Sequence, residues 1–235
     1  MIKAVFFDLY FTLVRYEPSQ EEVEAGLLHN LGIEVSPEAL RRPLAMANET
    51  IYQALINRPL NQRSKEETMA LYAQYHRDIL KEAGIQAGEN VIMGLLNGML
   101  QAKMGLVLFD DVIPALDELK KRGLITGLIS NIERNMSGAL DELQLSPRLD
   151  VVVTSLDAGA NKPRPEIFLE ALRRAKVAPA QALYIGDQYQ VDVIGARGAG
   201  MQGILLDRDG QHENITDCPK IKSLTEVTRH LQANV

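Results

Sequence analysis

Cysteine is almost missing from this chain: Cys218 is the single one among 235 residues. A disulfide framework is thereby excluded and a reducing compartment fits, with Cys218 itself read as a bystander. No apolar run reaches the ~20 residues needed to span a bilayer, and the first strand is entered without the basic and apolar regions of a signal peptide. The expectation is a cytoplasmic protein with no membrane partner, in which the Asn214-Ile215-Thr216 glycosylation match carries no weight. Basic excess is missing too, because 25 Lys and Arg stand against 31 Asp and Glu, a net charge of -6. Bulk electrostatics therefore recruits no nucleic acid, and an anionic substrate needs a local basic group or a metal.

What is present is an apolar fraction of 46 %, enough for one α/β domain with a smaller insertion or for two modest domains. The run Val5-Phe6-Phe7-Asp8-Leu9-Tyr10-Phe11-Thr12-Leu13-Val14 opens as a strand buried on both faces. A carboxylate does not belong there. Burying it costs several kcal/mol unless it is paired, bound to a metal or set at the strand end facing a cleft. Asp8 thus reads as a nucleophile or a metal ligand, with a loop-capping aspartate as the competing explanation.

From Arg15 to about Met104 the sequence is rich in Glu, Gln, Ala, Leu and Met at helical spacing, and no strand is expected. Ser19-Gln20-Glu21-Glu22, Ser36-Pro37-Glu38 and Ser64-Lys65-Glu66-Glu67 open three helices, and a fourth covers 91–103. These four form a small bundle. The segment carries no Gly-rich phosphate loop, no Cys/His cluster and no coiled-coil heptad run.

Beyond Val107 helix and strand alternate: helices over 111–122, 137–143, 165–175, 191–198 and 223–231, strands over 124–130, 151–154, 182–186 and 203–206. Such repetition predicts a doubly wound parallel sheet, with ligands bound at the carboxyl ends of the strands. The polar residues at those ends are Asp8, Ser130-Asn131, Lys162 in the loop after the third strand, and Asp187 with Asp192 close behind. The stretch from Gly195 to Gly200 reads as close helix packing and a tight turn rather than a nucleotide fingerprint.

Taken together, Asp8-Leu9-Tyr10-Phe11-Thr12-Leu13, Ser130-Asn131, Lys162-Pro163-Arg164-Pro165-Glu166-Ile167-Phe168, Gly186-Asp187 and Asp192 resemble, in order, the motifs of the haloacid dehalogenase superfamily of hydrolases. The resemblance implies an α/β, Rossmann-like core over 1–15 and 105–235, with an all-α helical-bundle cap over 16–104. It implies Asp8 as covalent nucleophile, Ser130 and Asn131 binding the substrate's anionic group, Lys162 neutralising charge and Thr12 supporting the loop. Mg²⁺ is implied on Asp8, Asp187 and the Tyr10 backbone carbonyl, with Asp192 holding a metal-bound water or orienting Lys162.

Two positions depart from the pattern. The phosphatases of the superfamily carry an acid/base aspartate where this chain has Tyr10, and Phe11 replaces the usual glycine. A phenol of pKa ≈ 10 donates a hydrogen bond but is a poor base, and loss of a general acid/base costs ~10²- to 10⁴-fold in rate. The superfamily's 2-haloacid dehalogenases do carry tyrosine there, but work without metal and have serine and asparagine in place of Asp187 and Tyr189. In a dehalogenase Arg41 or Arg42 could receive the halide, although both also read as solvated helix charges. The leading expectation is a Mg²⁺-dependent phosphatase of a small phosphorylated metabolite with a good leaving group. The alternatives are a metal-independent 2-haloacid dehalogenase and a catalytically weak binding or regulatory protein. A small anionic molecule is the expected partner, and the chain is expected as a monomer or homodimer.

Overall fold

The structure, a computed structural model, describes residues 1–132 and 135–231. The chain divides into two compact units, Met1–Arg15 with Leu106–Val235, and Tyr16–Gly105. No helix of the described residues is long and apolar enough to cross a membrane.

Strand β1 (Ala4–Phe7) is buried at every position. Val5 and Phe7 enter one hydrophobic cluster, while Ala4 and Phe6 enter a second on the other face of the sheet. Alternate side chains point to opposite faces and both faces are covered, which is why the sequence reads as an uninterrupted apolar run. Each fully buried phenylalanine contributes about 1.5–3 kcal/mol by leaving water.

The chain then forms β2 (Val14–Glu17), helices α1 (Gln20–Asn30), α2 (Pro37–Asn57), α3 (Lys65–Glu82) and α4 (Glu89–Gln101), and β3 (Gly105–Leu108). Reciprocal capping boxes start α1, at Ser19 with Glu22, and α3, at Ser64 with Glu67, while the Ser36 side chain caps α2. Leu28, Leu40, Ile79 and Leu95 are fully buried in the core that these helices share. Arg41 and Arg42 are exposed on α2. The expectation of no strand in this segment is corrected by β2, which pairs with β3 in a two-stranded ribbon. Each is four residues long and finds its partner far along the chain, so no local periodicity announces it.

The α/β unit continues with α5 (Val112–Lys121), β4 (Ile125–Ser130), α6 (Ser137–Glu142), β5 (Val151–Thr154), α7 (Ser155–Ala158), α8 (Pro165–Ala175), β6 (Ala182–Gly186), α9 (Gly195–Gly198), β7 (Gln202–Leu206) and β8 (Lys220–Ile221). Over the described residues the main sheet has order β5-β4-β1-β6-β7-β8, and its pairs are parallel. From β1 the chain builds outward through β4 and β5, then returns to β1's other side for β6, β7 and β8. The strand order reverses at β1, and its carboxyl end is the switch point where ligands bind in such sheets. Val112, Leu116 and Leu119 of α5 cover one face, and Ile167, Phe168 and Leu172 of α8 the other. This is a doubly wound, Rossmann-like parallel sheet.

Three local expectations change. The helix expected over 191–198 is a wide π-type turn, Tyr189–Ile194, running into the short α9. The closing helix expected over 223–231 is a 3₁₀ segment, Leu224–His230, and the two-residue β8 precedes it. Gly195 behaves as expected: a Cβ there would meet the Pro163 Cα and a Phe168 ring carbon at 2.9 Å. Gly200 has φ +82°, the left-handed conformation that glycine adopts without a steric penalty.

Candidate active site

Asp8 follows β1 directly, and its N–H donates to the Ile185 carbonyl at 2.9 Å, continuing the ladder to β6 by one residue. The next few residues turn back sharply. Phe11 has φ 59°, a left-handed conformation that costs a non-glycine residue about 1 kcal/mol. The departure from glycine noted in the sequence therefore falls where glycine's freedom matters. Neighbouring bonds hold the turn: Phe11 N–H donates to the Val14 carbonyl at 2.7 Å, and Leu13 and Val14 donate to the Leu9 carbonyl at 2.8 and 2.9 Å. Arg208 adds a bond from its guanidinium to the Thr12 carbonyl at 2.9 Å. Tyr10 bridges to Val14 and packs against the hydrophobic cluster on the α5 face.

The turn presents Asp8 to three other strand ends. Ser130, the last residue of β4, donates from Oγ to Asp8 Oδ1 at 3.2 Å. Lys162 Nζ donates to the same Oδ1 at 2.7 Å, to Asp192 Oδ1 at 2.7 Å and to the Tyr184 hydroxyl at 2.8 Å. Asp187, just after β6, accepts a bond from the Thr12 hydroxyl at 3.3 Å. Asp192 lies on the π-type turn, where its Oδ2 accepts the Gln188 N–H at 3.0 Å. Gly186 makes this approach possible, since a Cβ at that position would sit 2.3 Å from the Asp192 carboxylate. Asp8, Thr12, Ser130, Lys162, Asp187 and Asp192 are thus brought together, with Tyr10 in the same loop between Asp8 and Thr12.

Asn131, expected to help hold the substrate, binds the Lys162 loop through its side chain: Oδ1 accepts the Lys162 N–H at 2.6 Å and Nδ2 donates to the Lys162 carbonyl at 3.1 Å, so the amide clasps the lysine's backbone. Asp192 likewise contacts the Lys162 ammonium directly, which favours the orienting role among its two expected ones.

Electrostatics make the cluster unusual. Asp8, Lys162 and Asp192 are 6, 3 and 1 % exposed, so their charges have little water around them. Burial and the Asp192 charge raise the Asp8 pKa against the opposing pull of Lys162. Asp187 is pushed well above the usual carboxylate range by burial and then by Asp192 and Asp8. Burial alone would lower the lysine's pKa, but Asp192 and Asp8 outweigh it and hold the ammonium charged. The ammonium bonds to two of the three carboxylates, Asp8 and Asp192.

Oxygen atoms of Asp8, Asp187 and Asp192 lie within 4.8 Å of one another, the one such grouping of metal-ligating side chains among the described residues. Clustered hard oxygen donors carrying surplus negative charge fit a small divalent cation. Sequence reasoning missed Tyr184, whose fully buried hydroxyl sits against Lys162, Asp192 and the Ile129 carbonyl. In the sequence it is an ordinary aromatic strand residue, and the available signal was that a buried phenol requires a polar partner.

A doubly wound sheet with a buried aspartate, lysine and serine converging at its switch point defines a class: an α/β fold with a charged cluster at its strand ends. A family model described as haloacid dehalogenase-like hydrolase matches residues 2–200, and the chain belongs to that family of hydrolases. It is 31 % identical over 211 residues to haloacid dehalogenase-like hydrolase domain-containing protein 3 of Homo sapiens, covering 87 % of this chain and 82 % of that one. It is 28 % identical over 242 residues to the glyceraldehyde 3-phosphate phosphatase of Methanopyrus kandleri, covering 98 % of this chain and 99 % of that one. A crystal structure of a 2-haloacid dehalogenase from Pseudomonas syringae is similar with a TM-score of 0.57 and 27 % identity, covering 98 % of both chains.

Proposed function

We propose that the chain is a Mg²⁺-dependent phosphatase of a small phosphorylated metabolite, acting through an aspartyl-phosphate on Asp8. The observation that carries this reading is the carboxylate cluster: oxygens of Asp8, Asp187 and Asp192 lie within 4.8 Å of one another while Lys162 bonds to Asp8 and Asp192 alone of the three, and a second cation relieves their repulsion. The name of the Methanopyrus kandleri relative supports the same direction.

The Ser130 and Lys162 side chains both donate to Asp8 Oδ1, which holds the carboxylate in place for one of its oxygens to attack. Attack on phosphorus breaks the bond to the leaving oxygen, which departs with the electron pair. Water then attacks the same phosphorus, releases inorganic phosphate and restores the carboxylate. Lys162 and Ser130 hold Asp8 and offset negative charge at the attacked group in a water-poor site. Asp8, Asp187 and the Tyr10 carbonyl would hold Mg²⁺, with Asp192 beside them, and the chemistry a bound ion would supply is neutralisation of negative charge on the phosphoryl group. Tyr10 can donate a hydrogen bond to the leaving oxygen but is a weak base, which favours acyl or aryl phosphates.

The test is phosphate release across a panel of phosphate esters, with and without EDTA. Turnover stimulated by Mg²⁺ and abolished by the chelator is expected, and an inert panel overturns the reading. Tyr10 itself supports a second reading, hydrolysis of a 2-haloacid, because halide leaves without a proton. EDTA-insensitive release of chloride from 2-chloropropionate would favour that reaction instead.

A further inference from the structure

We propose that Tyr184 is a positioning residue for Lys162, acting through its hydroxyl on the ammonium that holds the nucleophile; the inference rests on the Asp8 chemistry proposed above. The ammonium has three protons and three acceptors: Asp8 Oδ1, Asp192 Oδ1 and the Tyr184 oxygen. Two acceptors are charged and could draw the lysine into several arrangements. The third is a neutral oxygen on a rigid central strand, and it directs one N–H away from the carboxylates.

The phenol's own proton has two acceptors within reach, the Ile129 carbonyl at 3.0 Å and Asp192 Oδ1 at 3.1 Å. Asp192 Oδ1 already takes a proton from Lys162. Donation to Ile129 therefore completes the set, leaving the oxygen lone pair for the lysine. Ile129 immediately precedes Ser130, the other donor to Asp8. One hydroxyl thereby links β4, β6, the Lys162 loop and the Asp192 turn, and it fixes the two Asp8 donors relative to each other. The ring is separately anchored by edge-to-face packing on Phe168, with centroids 5.1 Å apart.

With the hydroxyl removed, a lysine only 3 % exposed loses one acceptor and has little water to replace it. The ammonium then shifts between the two carboxylates, and the geometry of attack suffers more than substrate binding does.

Tyr184→Phe tests this, with Leu116→Ala as the control that loosens packing on the opposite face of the sheet and leaves the hydroxyl and its ring contacts in place. Steady-state kinetics and thermal melting are measured on both variants. The proposal expects Tyr184→Phe to lower kcat about tenfold at a KM within about twofold of wild type, and Leu116→Ala to lower Tm while retaining kcat. Wild-type kcat in Tyr184→Phe, or equal kcat losses in both variants, overturns it. If the wild-type protein cleaves no phosphate ester, the phosphatase reading fails by itself and the same variants are compared by halide release. Should neither reaction occur, a crystal structure of Tyr184→Phe decides: displacement of Lys162 Nζ from Asp8 supports the proposal, and an unmoved ammonium overturns it.

Discussion

In the helical unit a buried Glu24, on α1, meets a buried His76, on α3, at 2.9 Å, whereas at the strand ends of the α/β unit Asp8, Asp187 and Asp192 cluster and Lys162 bonds to Asp8 and Asp192. Both clusters contain carboxylates shut away from water. The first is matched one to one and ties together two helices at positions 52 residues apart. It asks for nothing further. The second is unmatched: the sheet topology forces the strand ends together, and burial with the neighbouring carboxylates pushes the Asp187 pKa well above the ordinary range. A matched pair is explained by the packing around it, while an unmatched cluster in a family of hydrolases needs a ligand, a cation or a reaction to explain it.

The contrast can be broken most severely at Asp8. Asp8→Asn keeps the shape and removes the attacking oxygen, so turnover should fall by roughly 10⁴-fold or more, read as phosphate release with circular dichroism to verify the fold. Retained activity would place the nucleophile elsewhere.

The helical unit should respond in stability. Glu24→Ala leaves His76 buried without its partner and opens a cavity, at a cost of about 3–5 kcal/mol. A double change, Glu24→Leu with His76→Leu, removes both polar partners at similar volume and should recover most of that loss in urea melts. If the double variant is no more stable than the single one, the pair is more than a packing device.

A smaller effect is expected at Asp111, which sits between these extremes. Its carboxylate accepts both guanidinium nitrogens of Arg208 at 2.9 Å, the Ser223 hydroxyl at 2.8 Å and the Leu224 N–H at 2.9 Å. Burial acts to raise its pKa, but Arg208, Leu224 and Ser223 outweigh that and hold it below the ordinary carboxylate value. The stability it contributes is complete above the unfolded-state value near ~3.9 and is lost as pH falls through the lower folded value. Asp111→Asn should therefore cost about 2 kcal/mol at neutral pH, with the variant converging on wild type in melts carried to acid. A constant difference across the series would mean that the carboxylate's charge is irrelevant.

Much of this arrangement was legible residue by residue. The serines at 19, 36 and 64 announced three helix starts because a cap is a local interaction, made within three residues. Asp8 stood out because a carboxylate after an apolar strand is locally incongruous. β2, β3 and β8 were silent, being two to four residues long and stabilised by partners distant in sequence. Phe11 was visible as a departure from glycine, but its φ of 59° emerges only when the loop is closed by bonds to Leu9 and Val14. Asn131 was legible through the motif resemblance, but its side-chain clasp on the Lys162 backbone depends on where that loop returns.

The sequence by itself determined the family, the alternation of strand and helix, and the identity of the strand-end charges, since each depends on local patterning or on motif order. Tertiary structure alone decided how those charges share their protons: which carboxylate oxygen receives Lys162, that Asp192 accepts from it as well, and that the Tyr184 hydroxyl is its third acceptor. The reason is geometric. Hydrogen bonds are set by distances of a few tenths of an ångström between residues on different strands, and only the closed sheet brings them within reach.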